Sequence, residues 1–453
     1  MNTKKVEQIS EWFVKPKYIT EESKNPWHLT PWDLIMISVQ YIQKGLLYSK
    51  PPNFNISSFL DDLKHSLSLT LVHFHPLAGR LATLKTENPA SYVIYVDSVN
   101  SPGARVIHAS ASDLSISDVL SPTYVPLIVQ SFFDHDRALN HDGHFKSLLT
   151  IQVTELIDGI FIGCSMNHAI GDGNSFWHFF NTFSEIFQSQ QREEENRTDF
   201  QISRPPILNR WIPEGYDKII NLPFTDLDQF LSPFESPLLK ERMFFFSSDS
   251  IAKIKARANS EQKTLNISSL QALSAFLWRC ITRIRRLPEN QVTSCRVACN
   301  DRSRLNPPLS QNYFGNCIHP LRAFTTAGEL LKQNLGWAAW KVHEAVIDQT
   351  DEKIREWYDN WMKSPAIYSI GQVFDRHSVM MGSSPRFNKY GNEFGLGKGV
   401  AIRSGYAHKF SGKVTPYPGR EGGGSMELEI CLPPDLMTAL ESDHEFMQVF
   451  SHI

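Results

Sequence analysis

Residues 159–187, GIFIGCSMNHAIGDGNSFWHFFNTFSEIF, change their hydrophobic period once, across a glycine-flanked turn. GIFIGCSMNH (159–168) is a short apolar run of strand length. Beyond the turn, Phe176, Phe179, Phe180, Phe183 and Phe187 recur at helical spacing, with Asp172 or Asn174 placed to cap the helix. Gly171 and Gly173 mark the stretch between as a turn rather than a continuation of either element. His168 is therefore delivered at a strand end, beside a turn, where it can reach a cleft. Imidazole titrates near physiological pH, so such a histidine can take a proton from a bound nucleophile. A lone histidine near an aspartate is more often structural, and Asp172, just before a helix, reads first as a cap for free N–H groups. On the residues alone, both readings of His168 stand.

The same mixture of elements runs through the whole chain. ISSFLDDLKHSLSLTLVHF is amphipathic, with Phe59, Leu60, Leu63 and Leu67 on one face, and HPLAGRL (75–81) breaks it. SYVIYVDSV (91–99) and FKSLLTIQVTEL (145–156) read as strands, the latter joined to 159–168 by a turn at Ile157-Asp158-Gly159. Polar text at 188–200 leads into the proline-bearing ISRPPILNRWIPEGYDKIINLPF, a crossover linker. A second half follows, with strands at ERMFFF and RVACND (296–301), helical IAKIKARAN, and a strong amphipathic helix in 268–286. Strands and helices are mixed in both halves, which predicts two α/β domains with a seam between them. The expected division is 1–203, a linker at 204–236, and 237–453.

Composition narrows the function. The net charge of -3, without long runs of one sign, argues against a general nucleic-acid or acidic-membrane binder. No apolar run approaches the roughly 18 residues of a membrane span, and MNTKKVEQISEWFVKPKYIT lacks a signal-peptide core, so a cytoplasmic protein is expected. Six cysteines without a paired CxxC read as reduced, mostly buried thiols. No metal cluster is visible; His73 and His75 lack carboxylate or cysteine company and read as structural. GLGKG and GREGGGS do not fit a phosphate-binding loop, and the second is a turn before the alternating strand MELEICL.

HAIGDG matches the HxxxD motif of the plant BAHD acyltransferases. LTPWDL (29–34), HPLAGRL, CNDRSRLNPPLSQNYFGNCI (299–318) and NEFGLGKG (392–399) resemble that family's other landmarks, in its order. MGSSPRF and FSGKVTPYPGREGGGSMELEICL are most similar to the subgroup of the defective-in-cuticular-ridges protein and putative acetyltransferases. The resemblance implies two similar-sized mixed α/β domains joined by a crossover loop, with a channel between them. It implies His168 as general base, acyl-CoA as co-substrate without a metal, and a hydroxyl or amine of a small plant metabolite as acceptor. One ternary complex would serve, without an acyl-enzyme, in a monomer. Asp172 would turn away and pair with Arg302, or failing that Arg304, while Tyr313–Asn316 and the turn glycines Gly395 and Gly397 support the site. Glu393 and Leu396 replace the late motif's usual aspartate and tryptophan; Phe394 or Phe387 is expected to fill the lost bulk. Ser384 stands where some members place an oxyanion donor, and Ser383 and Arg386 share its CoA-side stretch. A lyase reusing the fold and a silent small-molecule binding protein are the alternatives.

Overall fold

The computed structural model describes residues 5–192 and 201–450. Most of the polar stretch at 188–200, which leads into the expected linker, lies outside the described residues.

Among the described residues, two six-stranded mixed sheets and one three-stranded sheet carry the fold. Across the first sheet run Glu7–Val14, Ala104–Ala111, Leu149–Leu156, Gly159–Met166, Ile42–Ser49 and Ala401–Ser404. The hairpin of Leu149–Leu156 and Gly159–Met166 is buried along nearly its whole length, which is why both strands read as apolar runs rather than alternating ones. The helices Ile56–His73 and Gly173–Arg192 pack against each other over this sheet. All five phenylalanines that define the second helix's periodicity are buried. Its cap is Asp172, whose Oδ1 accepts from the Ser175 N–H at 3.0 Å. Asn174, the other candidate, instead donates its side-chain amide to the Gln311 carbonyl across the seam.

The second sheet orders as Ile318–Thr326, Val292–Asn300, Val379–Met381, Lys413–Pro418, Met426–Leu432 and Lys240–Phe246. Ser248–Gln262, Ser269–Arg285 and Leu335–Ile347 cover it around a second apolar core. Ser269–Arg285 begins in a capping box, in which Ser268 and Gln271 exchange side-chain to backbone bonds. Between Lys413–Pro418 and Met426–Leu432 the GREGGGS segment turns through Gly422, Gly423 and Gly424, all at positive φ.

Ala401–Ser404, within the expected second domain, pairs antiparallel with Ile42–Ser49 and completes the first sheet. All four residues are buried, so the segment needs cover on both faces. An apolar run announces that need without naming the sheet that meets it.

Within the first sheet Gly45 and Gly163 stand opposite each other in register. A β-carbon at Gly163 would collide with the Phe132 main-chain carbonyl, and one at Gly45 with the Phe161 ring. Gly163→Ala must displace backbone rather than a side chain. It is expected to lower the stability measured by denaturant unfolding by about 1–3 kcal/mol.

Candidate active site

His168 lies two residues beyond the strand Gly159–Met166, and both of its main-chain groups are held. Its N–H donates to Asn140 Oδ1 at 2.7 Å, and its carbonyl accepts from Asn316 Nδ2 at 2.7 Å. Asn316, the last residue of YFGN, is fixed in turn by Asp33 of LTPWDL. Asp33 Oδ1 accepts from both the Asn316 N–H and its side-chain amide, each at 3.0 Å. The other Asp33 oxygen receives the Thr30 N–H and hydroxyl and an ion pair from Arg210. Arg210 belongs to the stretch between the halves and lies 3.9 Å from the Trp27 ring centroid. Segments far apart in the chain thus converge on the main chain of one residue, His168.

Asp172 faces away from this histidine. Its oxygens accept from the Ser175 and Cys317 N–H groups, each at 3.0 Å, and from Arg302 at 2.7 and 3.2 Å. Arg302 also donates to the Tyr313 and Gly315 carbonyls, at 3.1 and 2.8 Å. Neither side chain has any exposed surface. Burial opposes the Arg302 charge, but Asp172, together with Cys317 and Tyr313, holds the guanidinium above its ordinary pKa. Arg304 is elsewhere, bonded to the Gln349 carbonyl. Gly171 allows a close approach, since a β-carbon there would lie 2.9 Å from Ser175 Cβ; at Gly173 the nearest contact, Phe387, is an ordinary 3.5 Å.

The His168 ring faces a cavity of about 210 Å³ at the seam of the two sheets, space for a small organic molecule rather than a single water. Its lining includes Lys44 from the first sheet, Gly173 and Trp177 from the helix start, and Ala298, Met380, Lys413 and Glu429 from the second sheet. Among the described residues His168 Nδ1 is buried without a hydrogen-bond partner, which leaves Nε2 as the nitrogen by which this lining residue meets the cavity. Burial pushes the His168 pKa below its ordinary value; its own carbonyl, Asp172 and Asn316 oppose the shift, and Lys413 adds to it. His408 stands edge-on to His168, with ring centroids 5.5 Å apart. Burial, and then His168, hold His408 well below its ordinary pKa, so it is a neutral neighbour.

Ser383 and Ser384 line the cavity, whereas Arg386 is exposed and outside the lining. Ser384 Oγ accepts from the Arg386 N–H at 3.2 Å, leaving its hydroxyl proton free to donate. Gly395 and Gly397 have φ of 69° and 78° and form the late turn. That turn is docked on the first half, where the Glu393 N–H donates to Ser184 Oγ and the Tyr48 hydroxyl to the Asn392 carbonyl. Phe394 is buried among Phe180, Phe183 and Phe187, and Leu396 packs half-buried on the same core. Phe387 instead lines the cavity. His408, Lys44, Lys413, Asn140 and Asp33 were not singled out from the sequence. Asp33 sits in LTPWDL and Lys413 in the stretch that begins FSGKVTPYP, but neither was marked as a site residue; the others are brought in by tertiary packing.

Comparison with known proteins agrees with this architecture. A family model described as the Transferase family matches residues 4–447. An uncharacterised acetyltransferase of Arabidopsis thaliana is 37% identical, over 97% of this chain and 98% of its own. The BAHD acyltransferase DCR of the same plant is 31% identical, over 98% of this chain and 92% of its own. The structure of F. graminearum TRI101 in complex with coenzyme A and deoxynivalenol superposes with a TM-score of 0.74, covering 94% and 99% of the two chains at 17% identity. The chain belongs to the BAHD acyltransferases. It is an acyl-CoA-dependent acyltransferase.

The Asp172–Arg302 pair should be coupled in stability. Removing one member leaves the other charge buried, at a cost of about 3–5 kcal/mol. A double-mutant cycle of Asp172→Asn and Arg302→Gln, followed by denaturant unfolding, is expected to be non-additive. Additive losses would show that the two side chains act separately.

Proposed function

We propose that this acyltransferase uses His168 as general base to move the acyl group of an acyl-CoA onto a hydroxyl or amine of a small plant metabolite. The observation that carries the reading is the placement of the His168 ring. Its main chain is clamped from both sides, its Nδ1 is enclosed, and its Nε2 meets the cavity. An imidazole whose pKa is lowered by burial is neutral at physiological pH and ready to accept a proton.

With both substrates bound together, Nε2 takes the acceptor's proton as its oxygen or nitrogen attacks the thioester carbon. The new C–O or C–N bond forms and the carbonyl becomes an oxyanion. Collapse of that intermediate breaks the C–S bond, and the coenzyme A thiolate leaves, taking the proton from the imidazolium. Holding both reactants in one ternary complex makes an acyl-enzyme unnecessary. Ser384, with a free hydroxyl proton in the cavity wall, is the proposed donor to the oxyanion. Ser383 belongs to the same wall, and the exposed Arg386 offers a cation to the phosphates of the coenzyme. Asp172 and Arg302 take no part in proton transfer; they hold the turn that carries His168.

Free thiol release, measured with a panel of acyl-CoAs and hydroxyl or amine acceptors, tests the reading. Release should depend on the acceptor; acceptor breakdown without acyl-CoA would indicate a lyase instead. His168→Ala should retain the wild-type melting temperature and lose about 10²–10⁴-fold in rate. The pH profile of kcat/KM should show its acid limb below 6.5, because the base must be neutral and burial lowers its pKa. A limb above 6.5 would contradict the assignment.

A further inference from the structure

One corner of the cavity holds more positive than negative charge. Lys44, Lys409 and Lys413 line it, with Lys389 buried just behind. The carboxylates that answer them are Glu241 and Glu429, and both go to Lys409. Glu241 forms an ion pair with it, and Glu429 lies 4.0 Å away. Glu429 is further engaged by the Ser404 hydroxyl at 2.6 Å and the Tyr417 hydroxyl at 3.2 Å. Lys44 reaches it only indirectly, donating to the Tyr417 oxygen at 3.1 Å. Lys389 donates to Ser383 Oγ and the Pro416 carbonyl, each at 3.1 Å. Glu427 is occupied with the Tyr390 hydroxyl.

Lys413 is left over. Among the described residues its ammonium makes no hydrogen bond and no ion pair; it lies 5.8 Å from the Phe410 ring centroid. A β-carbon at residue 382 would overlap this ammonium, so Gly382 supplies the space it occupies. Burial, and then Lys44, lower the Lys413 pKa to about 8, which leaves it mostly charged at neutral pH. Neither neutral histidine offers a counter-charge. An unpaired cation removed from bulk water is costly unless something compensates it.

Resting on the acyl-transfer reading, we propose that Lys413, backed by Lys44, is an anion subsite of the cavity that receives a carboxylate carried by one of the two substrates. One unpaired ammonium among apolar walls such as Met380, Phe374 and Phe410 suits a single negative charge. A phosphate dianion would call for more donors than the corner leaves free. The carboxylate has two possible sources. It is either the free end of a dicarboxylic acyl chain on the donor or an acid group on the acceptor.

Binding, rather than turnover, decides the matter. Calorimetry on the wild-type chain compares malonyl-CoA with acetyl-CoA, and succinate with succinamide. The carboxylated member of at least one pair should bind about 10- to 100-fold more tightly, as expected for charge-assisted hydrogen bonds. Preference in the CoA pair assigns the carboxylate to the donor; preference only in the succinate pair assigns it to the acceptor. Lys413→Met should erase the preference while leaving the neutral probe's affinity unchanged, and Lys413→Arg should keep it. No preference in either pair, or a Met variant that weakens charged and neutral probes alike, would overturn the subsite. Failure of every acyl-CoA and acceptor to turn over would overturn the transfer reading, and these binding measurements would still decide the subsite.

Discussion

A guanidinium and a carboxylate with no exposed surface, 130 residues apart in the chain, lock the seam of this molecule. Neither charge is tolerable there alone. Asp172 serves at once as helix cap, as acceptor for the Cys317 N–H and as counter-ion. Arg302 gathers the Tyr313 and Gly315 carbonyls onto the same point. The register between the helix Gly173–Arg192 and the segment that ends in Asn316 follows from that cluster. Asn316 then reaches the His168 carbonyl. The aspartate of the motif affects the histidine through the placement of the backbone rather than through a hydrogen bond to the ring.

The electrostatics of the cavity complement this rigidity. His168 and His408 are both held toward their neutral forms, first by burial, with Lys413 depressing each further. A neutral imidazole beside a cation is a consistent arrangement. The cation discourages the histidine from holding a proton at rest, and an anion arriving nearby would weaken that discouragement. An anion placed beside Lys413 would therefore shift the protonation of His168 through charge alone.

What was legible in the sequence follows from what periodicity encodes. A run such as 159–168 declares its own burial, and the five phenylalanines of the next helix declare one face, so these elements fall where the pattern puts them. The family landmarks also led to Arg302, because motif order carries information about contact that spacing does not. Periodicity is silent about partners. Asp172 and Asn174 are both good capping residues, and only the approach of Gln311 separates their roles. Lys44 and Lys413 look in the sequence like ordinary surface lysines; they reach one corner only because the first sheet, which carries Lys44, meets the second, which carries Lys413. Arg386 shares a short stretch with Ser383 and Ser384, yet only the serines face inward.

The pairing of Ala401–Ser404 with Ile42–Ser49 also bears on the order in which the molecule can be made. On the ribosome, Gly159–Met166 is available to its neighbours early, but the last strand of the same sheet emerges roughly 240 residues later. At about 5–20 residues per second, the edge of Ile42–Ser49 waits on the order of ten to fifty seconds for its neighbour. During that interval a nascent chain exposes an unpaired, apolar strand edge, the kind of surface that invites association with other chains. Synthesis of this enzyme therefore has a vulnerable period set by topology, and shielding by chaperones or by slow collapse of the remaining chain matters most then.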